Sequence, residues 1–202
     1  ISGHQAATSA LSNFSDAIRF VYEQTVQGIN AGKGPDLIAH EIELPAHLKE
    51  HPYLVEFSGS VSHASRAIFA GLLGWYDGNP TTLNRLHPRK EARHVADLAG
   101  GTSALTQKMP RALEDGDLQW AMQLADHLRW LDDADQGFAL KSKVRALRGL
   151  AAREYNAPNR NYYLRYANEL ETGRLREIGL DAASEQQRAG SGTDAAVNRY
   201  KQ

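Results

Sequence analysis

The chain has 202 residues, of which 42% are hydrophobic and 23% are charged, and its formal net charge is -1 at pH 7. A chain of this size can bury a hydrophobic core and is expected to form one or two globular domains. The near-neutral charge provides no field that attracts a polyanion, so nucleic acid is not an expected partner. The absence of cysteine excludes disulfide scaffolds, thiolate catalysis and cysteine zinc sites. No apolar run approaches the roughly 20 residues that a membrane span requires, so none is expected.

The first predicted element is an amphipathic helix. Phe14, Ile18 and Val21 recur at helical spacing, Ser15 marks the expected start, and the Gly-Lys-Gly-Pro sequence of residues 32–35 marks the end. Two short helices should follow, from Pro35 to His40 and over residues 45–50.

The short helices lead to a prediction about self-association. Prolines interrupt the chain three times between residues 35 and 52, and pieces this short cannot each close a core of their own. We therefore expect the chain to form a two-fold homodimer through its first half. The apolar residues expected to bury against the second copy are Leu37, Ile38, Leu48 and Leu54.

The sequence GWYDGNP, residues 74–80, follows a helix that Ser60 is expected to cap. That helix carries an apolar stripe of Val61, Ala64, Ile68, Leu72 and Trp75. The dipeptides Asp-Gly and Asn-Pro favour turns and cannot continue a helix. The sequence therefore predicts a corner in which buried Trp75 and Tyr76 anchor the helix end.

Further helices are predicted in the second half of the chain. One begins at Pro88 and ends at the glycine pair that precedes Thr102. The next should be kinked or ended by Pro110. Small residues then alternate with large ones at helical spacing, which favours close antiparallel pairing on both sides of an aspartate-rich turn. No segment shows strand-like alternation, so the predicted fold class is all-α: a helical bundle running into tetratricopeptide-like stacked helical hairpins.

Clusters of potentially reactive side chains give no strong catalytic or metal signal. The eight histidines form neither an HxH nor an HExxH pattern, so surface or capping roles are favoured for each of them. The aspartates near residue 133 fit a solvated turn. The Ser60–Ser65 region brings serines near His63 but lacks the strand-to-helix turn of a nucleophile elbow.

Four segments in order resemble a known family: GSVSHASRAIFAGLL, GWYDGNPTTLNRLHP, ALEDGDLQWAMQLADHL and NRNYYLRYANELE. They are similar to the helical dimerisation domain of the alkylsulfatases, zinc hydrolases whose catalytic domain has the metallo-β-lactamase fold. The resemblance covers about residues 1–173. It implies that residues 1–15 are the end of a catalytic domain and that residues 16–178 are the dimerisation domain. Residues 179–202 are then a linker or disordered tail.

The resemblance also implies a function. The parent enzyme would use two zinc ions to hydrolyse long-chain alkyl sulfates such as dodecyl sulfate to alcohol and sulfate. His4 stands where the last zinc ligand of the catalytic domain would lie, but the HxHxDH run of the family is absent. We therefore expect this chain alone to bind no zinc tightly and to perform no catalysis. No catalytic residue is assigned to it, and no substrate-binding residue can be identified.

The implied partners are a second copy of the chain and the catalytic domain of the same protein. The alternative is an autonomous tetratricopeptide-like interaction domain without any link to sulfatase chemistry. The sequence does not indicate a cellular compartment. The residues expected to have structural or interface roles are Trp75, Tyr76, Asp77, Gly78, Asn79, Pro80, Asn161 and Tyr162.

Overall fold

The computed structural model describes residues 3–173, in which helices joined by turns and loops are the regular secondary structure and no strand is present. The all-α prediction is confirmed. The ten helices are α1 (His4–Asn30), α2 (Pro35–Glu41), α3 (Ala46–Lys49), α4 (Val61–Leu73), α5 (Pro80–Leu83), α6 (Pro88–Ala99), α7 (Thr102–Glu114), α8 (Leu118–Arg129), α9 (Gln136–Arg153) and α10 (Ala157–Glu171).

The helices form two compact units. The first consists of the described residues up to Leu86 together with Glu154–Arg160, and the second of His87–Arg153 with the described residues from Asn161 onward. Helix α1 is continuous through residues 15 and 16. The predicted boundary at that point stays a prediction, and the predicted tail, residues 179–202, lies outside the described residues.

In the first unit, α1 begins at His4 rather than near Ser15, so the predicted start is wrong. The preceding sequence, HQAATSAL, contains three alanines and no proline or glycine, so it can extend the helix toward the N-terminus. The buried residues of α1 are Ala10, Ala17, Val21 and Thr25, which lie on one face.

Helices α1, α2 and α4 pack on one another in the first unit. Gly28 permits the close approach of α1 to α2, because a Cβ at this position would lie 2.7 Å from Cγ1 of Ile38. Ile38 and Leu48 are only 2% and 3% exposed within this chain. The prediction that they need a second copy to be buried is therefore wrong, since both side chains are already buried within one chain, Ile38 on the helix α2 that packs against α1 and α4. Leu37 remains 51% exposed.

Helix α4 begins as predicted, with the backbone N–H of His63 donating to Oγ of Ser60 at 3.1 Å. Its buried residues are Ser65 and Phe69, whereas Leu72 is 50% exposed. The predicted stripe is thus displaced around the helix, because α1 and α2 cover an adjacent face.

Asn156 ties two distant segments of the first unit together. Its side-chain Nδ2 donates to the carbonyl oxygens of Glu56 and Gly59, each at 3.0 Å. Its Oδ1 accepts from the backbone N–H of Asn159 at 3.1 Å, within the first turn of α10. The backbone N–H of Ala157 adds a bond of 2.7 Å to the carbonyl of Phe57. One buried amide side chain therefore holds the segment before α4 against the start of α10.

The second unit consists mainly of paired helices. Helix α8 contacts α6, α7 and α9, and α9 also contacts α7. The fully buried centre includes Met109, Leu124, Leu128 and Leu131. Contacts between consecutive helices are typical of stacked helical hairpins. The finer expectation of a tetratricopeptide geometry stays a prediction.

Helix α7 passes through Pro110 without ending, so the predicted end of the helix there is wrong, whereas the alternative, a kink at Pro110, stays a prediction. Proline removes the N–H that would bond the carbonyl four residues earlier. Burial of Met109 and Leu113 on both sides of the proline opposes that loss. Burial of the apolar face of α7 therefore outweighs the loss of the backbone hydrogen bond at Pro110.

The aspartate-rich turn between α8 and α9 is held by charged contacts. Asp132 accepts from Arg89 at 2.6 Å, Asp133 accepts from Arg93 at 3.3 Å, and Oδ1 of Asp135 accepts from the N–H of Phe138 at 2.9 Å. The interpretation as a turn is correct, and ion pairs and a helix cap explain the carboxylates.

Candidate interface

The corner at residues 74–80 reverses the chain between α4 and α5. Helix α4 ends at Gly74, whose φ of 82° is accessible mainly to glycine, and Gly78 has a φ of 87°. Oδ1 of Asn79 accepts from the N–H of Thr81 at 3.1 Å and so caps α5, and Pro80 is the first residue of that helix. The predicted corner is therefore present, with a cap and glycines where the turn requires them.

Asp77 organises this corner through its carboxylate. Its Oδ1 accepts from the hydroxyl of Thr82 at 2.5 Å and from the N–H of Asn79 at 2.9 Å. These two bonds, the one from Thr82 above all, hold the pKa of the Asp77 carboxyl below its usual value. The charged form thus stabilises the turn, and the corner is ordered by its polar residues.

The aromatic residues of the corner do not anchor it as predicted. Trp75 is 77% exposed and Tyr76 is partly buried, and their rings meet edge to face with centroids 5.9 Å apart. The anchoring prediction for Trp75 is wrong, because α4 ends two residues before it and the turn directs the indole away from the unit's core. A large aromatic surface is left in water at this position.

Exposed apolar side chains flank the corner on both sides in the chain. Leu72 and Leu73 are 50% and 54% exposed at the end of α4, and Leu83 is 47% exposed at the end of α5. Single exposed apolar residues are common, but a tryptophan and three leucines that are all exposed within one short stretch of the chain are typical of a binding surface. We call Leu72, Leu73, Trp75 and Leu83 the corner surface.

The two remaining predicted interface residues lie in the second unit. Asn161 and Tyr162 are on α10, both are exposed, and Tyr162 keeps 72% of its surface in water. Their interface role stays a prediction.

A second exposed surface was not expected from the sequence. Leu11, Phe14, Ile18 and Tyr22 of α1 are 73%, 50%, 60% and 48% exposed. Phe14 and Ile18 belong to the apolar periodicity that predicted the helix, and Leu11 lay before the predicted start of the helix. We call these four residues the α1 stripe.

His4 is an exposed residue in the first turn of α1. No group of three or more histidine, aspartate or glutamate side chains in residues 3–173 is arranged to hold a metal ion. A catalytic zinc site needs about three protein ligands, so the described side chains do not fit a zinc site by themselves. The assignment of His4 as one ligand stays a prediction.

The serines near His63 are occupied locally. Besides capping α4, Ser60 lies 3.3 Å from the hydroxyl of Ser62, and Ser65 donates to the carbonyl of Ser62 at 2.9 Å. These contacts order the first turn of α4.

None of the helices in residues 3–173 combines the length and apolar character needed to cross a bilayer.

Residues 34–173 match the family model described as alkyl sulfatase dimerisation. The chain belongs to this family. The matched range contains the corner, α10 and every helix of the second unit, so family membership applies to most of the chain.

The known proteins that are similar to this chain are alkylsulfatases. The chain is 35% identical over 182 residues to a linear primary-alkylsulfatase of Pseudomonas sp. (strain ATCC 19151), a match that covers 90% of this chain and 34% of that protein. It is 31% identical over 172 residues to an (R)-specific secondary-alkylsulfatase of Pseudomonas sp., covering 85% of this chain and 26% of that protein. The chain therefore spans about a third or less of the length of these relatives.

The fold of this chain is also similar to that of a solved alkylsulfatase structure. The stereoselective inverting sec-alkylsulfatase Pisa1 from Pseudomonas sp. matches with a TM-score of 0.79 and 31% identity, over 86% of this chain and 27% of that chain. An autonomous helical domain unrelated to sulfatases is therefore not favoured.

The match to the linear primary-alkylsulfatase spans 182 residues, which is more than the segment from residue 34 to residue 202 contains. That match therefore also includes part of α1.

Proposed function

We propose that this chain is the self-association module of a zinc-dependent alkylsulfatase and that it forms a homodimer through the corner surface. The observation that carries the proposal is Trp75, a large aromatic side chain left 77% exposed inside the range that matches a dimerisation family. Tryptophan is among the residues that contribute most to binding when an interface covers them.

The structure of the corner supports this role. The hydrogen bonds of Asp77 and the cap at Asn79 fix the backbone that follows Trp75, and the end of α4 at Leu73 fixes the backbone that precedes it. A preorganised surface loses less conformational entropy on association than a flexible one. The exposed leucines at the ends of α4 and α5 would supply the apolar surroundings of the indole.

The chemistry of the parent enzyme follows from its relatives and belongs to the same proposal. The enzyme would hydrolyse long-chain alkyl sulfates such as dodecyl sulfate to alcohol and sulfate. Its two zinc ions would be held mainly by the catalytic domain, with His4 as one contributing ligand. This chain would join two copies of the parent enzyme into a dimer and would contact the catalytic domain.

Replacing Trp75 with glutamate should weaken self-association about 30-fold or more, because an interfacial tryptophan typically contributes about 2 kcal/mol or more. Sedimentation across a hundredfold range of concentration would measure the dissociation constant. The matched control is Leu98→Glu, which changes an apolar residue that is 90% exposed on α6.

The Leu98 variant should dimerise like the original chain, and circular dichroism should show that both variants stay folded. A chain that is monomeric at every concentration would contradict the proposed function. A Trp75 variant that dimerises normally would place the interface elsewhere.

The 202-residue chain alone should release no sulfate from dodecyl sulfate and should bind no zinc with submicromolar affinity. The physical reason is the lack of a ligand cluster in residues 3–173, where His4 stands alone at the start of a helix. Titration with zinc under calorimetry, together with a sulfate-release assay, would measure both properties. Stoichiometric binding of zinc with submicromolar affinity would contradict this prediction and would show that the chain contains a complete zinc site.

A further inference from the structure

Two Asp-Gly dipeptides occur in the chain, at Asp77–Gly78 and at Asp115–Gly116, and no Asn-Gly dipeptide is present. An Asp-Gly peptide can rearrange without an enzyme, because glycine has no side chain that hinders attack by its own backbone nitrogen. The chain therefore contains two sequence-equivalent sites for the same spontaneous modification. The structure surrounds these two sites differently.

The modification is the conversion of aspartate to isoaspartate, and water balances it. The glycine nitrogen attacks Cγ of the protonated aspartic acid, which forms a C–N bond and breaks the C–OH bond. The hydroxyl group leaves with the amide proton as water, and a succinimide ring remains. Water then adds to either ring carbonyl and reopens the ring to aspartate or isoaspartate. In isoaspartate the main chain runs through the side-chain carbonyl, so the backbone is longer by a methylene group.

The corner at residues 74–80 restrains the Asp77 carboxylate. Its Oδ1 accepts from the hydroxyl of Thr82 at 2.5 Å and from the backbone N–H of Asn79 at 2.9 Å. Both bonds favour the ionised form, which lowers the pKa of the Asp77 carboxyl and so reduces the protonated fraction that can react. The two bonds also fix the orientation of the carboxylate. Ring closure with Gly78 therefore requires the corner to open first.

The Asp115 carboxylate is much less restrained. Its side chain is 65% exposed, and within residues 3–173 its partner is Arg111 at 3.5 Å, whose own side chain is 85% exposed. An ion pair between two exposed side chains contributes little to holding either of them in place. Asp115 also directly follows the last residue of α7, and helix ends fray. Rotation of this residue toward ring closure therefore meets little resistance from its side-chain contacts.

The turn after Asp115 leaves little room for a longer backbone. The carbonyl of Gly116 accepts from Nη1 of Arg153 at 2.7 Å, and a Cβ at Gly116 would lie 2.9 Å from Nη2 of the same arginine. Oδ1 of Asp117 caps α8 by accepting from the N–H of Trp120 at 3.3 Å. An added methylene group at residue 115 therefore disturbs the start of α8, the helix that contacts α6, α7 and α9.

We propose that Asp115 is the site at which this chain forms isoaspartate, and that the hydrogen bonds of the corner keep Asp77 intact. The inference does not depend on the proposed function, since it concerns the two turns alone. The surface around Trp75 then retains its backbone, whereas the turn between α7 and α8 accumulates the modification with time.

Peptide mapping by mass spectrometry tests this assignment after incubation of the folded 202-residue chain at neutral pH for several weeks. Electron-transfer fragmentation distinguishes isoaspartate from aspartate, which have the same mass. Isoaspartate should accumulate about fivefold faster or more at Asp115 than at Asp77, because the corner disfavours the reactive form of Asp77. Equal rates, a faster rate at Asp77, or no isoaspartate at Asp115 would overturn the proposal.

The unfolded chain is the control for the effect of structure. In concentrated urea the hydrogen bonds of the corner are lost, so the rates at Asp77 and Asp115 should agree within about twofold. If the preference for Asp115 persisted unchanged in urea, the neighbouring sequence rather than the fold would set it, and the protective role of the corner would be refuted.

Matched variants test the protection of Asp77 directly. Thr82→Val keeps the shape of the side chain but removes the hydroxyl donor, so it should raise the rate at Asp77 about threefold or more. Thr82→Ser keeps a hydroxyl donor and should leave the rate within about twofold of the original. Circular dichroism would show that both variants stay folded. An unchanged rate at Asp77 in the folded Thr82→Val variant would contradict the proposed protection.

Discussion

Replacing Leu124 with alanine should reduce the free energy of unfolding of the second unit by about 3 kcal/mol, within the range of 2–5 kcal/mol typical of buried leucines. Leu124 is 0% exposed on α8, the helix that contacts α6, α7 and α9. The substitution removes apolar contacts and leaves a cavity where several helices meet. Neighbouring side chains cannot close that cavity without moving the helices.

Urea unfolding followed by tryptophan fluorescence would measure this effect. The chain has three tryptophans, and Trp120 and Trp130 belong to the second unit. The control Leu98→Ala makes the same chemical change at a side chain that is 90% exposed, and it should change the free energy by no more than about 0.5 kcal/mol. Equal effects of the two substitutions would contradict the described core.

Replacing Asn156 with alanine should destabilise the first unit by about 2–4 kcal/mol. The change leaves the carbonyls of Glu56 and Gly59 without their donor and removes the oxygen that accepts from Asn159. A buried polar group without a partner costs about 1–3 kcal/mol, and a lost helix cap costs about 1 kcal/mol. Hydrogen exchange of the segment before α4 and of α1 would report the loss of protection.

The variant Asn156→Asp distinguishes the two roles of this side chain. Aspartate keeps an oxygen for the cap at α10 but presents no donor to the two carbonyls. It should therefore be at least as damaging as alanine. A nearly unchanged Asn156→Asp variant would mean that the residue is only a cap.

The parts of the fold that the sequence predicted depend on local signals. Ser60 capping α4, Pro88 beginning α6 and the turn at Asp77–Pro80 all rest on residues whose backbone preferences act within a few positions. Periodicity also identified the long first helix. These elements could be predicted because each signal is complete within one short segment.

The errors arose where tertiary packing decides. The helix continues through Pro110 because its apolar face is buried, and Trp75 is exposed because α4 ends two residues earlier. Periodicity shows that α1 has an apolar face but cannot show how much of that face its own unit covers. The hydrogen bonds of Asn156 join residues about 100 positions apart, for which no local pattern exists.

The discontinuity of the first unit has a consequence for the order of folding. Glu154–Arg160 belong to this unit, so residues 3–86 lack part of their partner surface until the whole of His87–Arg153 has been synthesised. The paired helices of the second unit make mostly local contacts, which form quickly, whereas closing a loop of nearly 100 residues is slow and entropically costly. We therefore expect that, during translation, the carbonyls of Glu56 and Gly59 stay hydrogen-bonded to water until Asn156 has been synthesised. We also expect the first unit, although it begins earlier in the chain, to be completed later than the second unit.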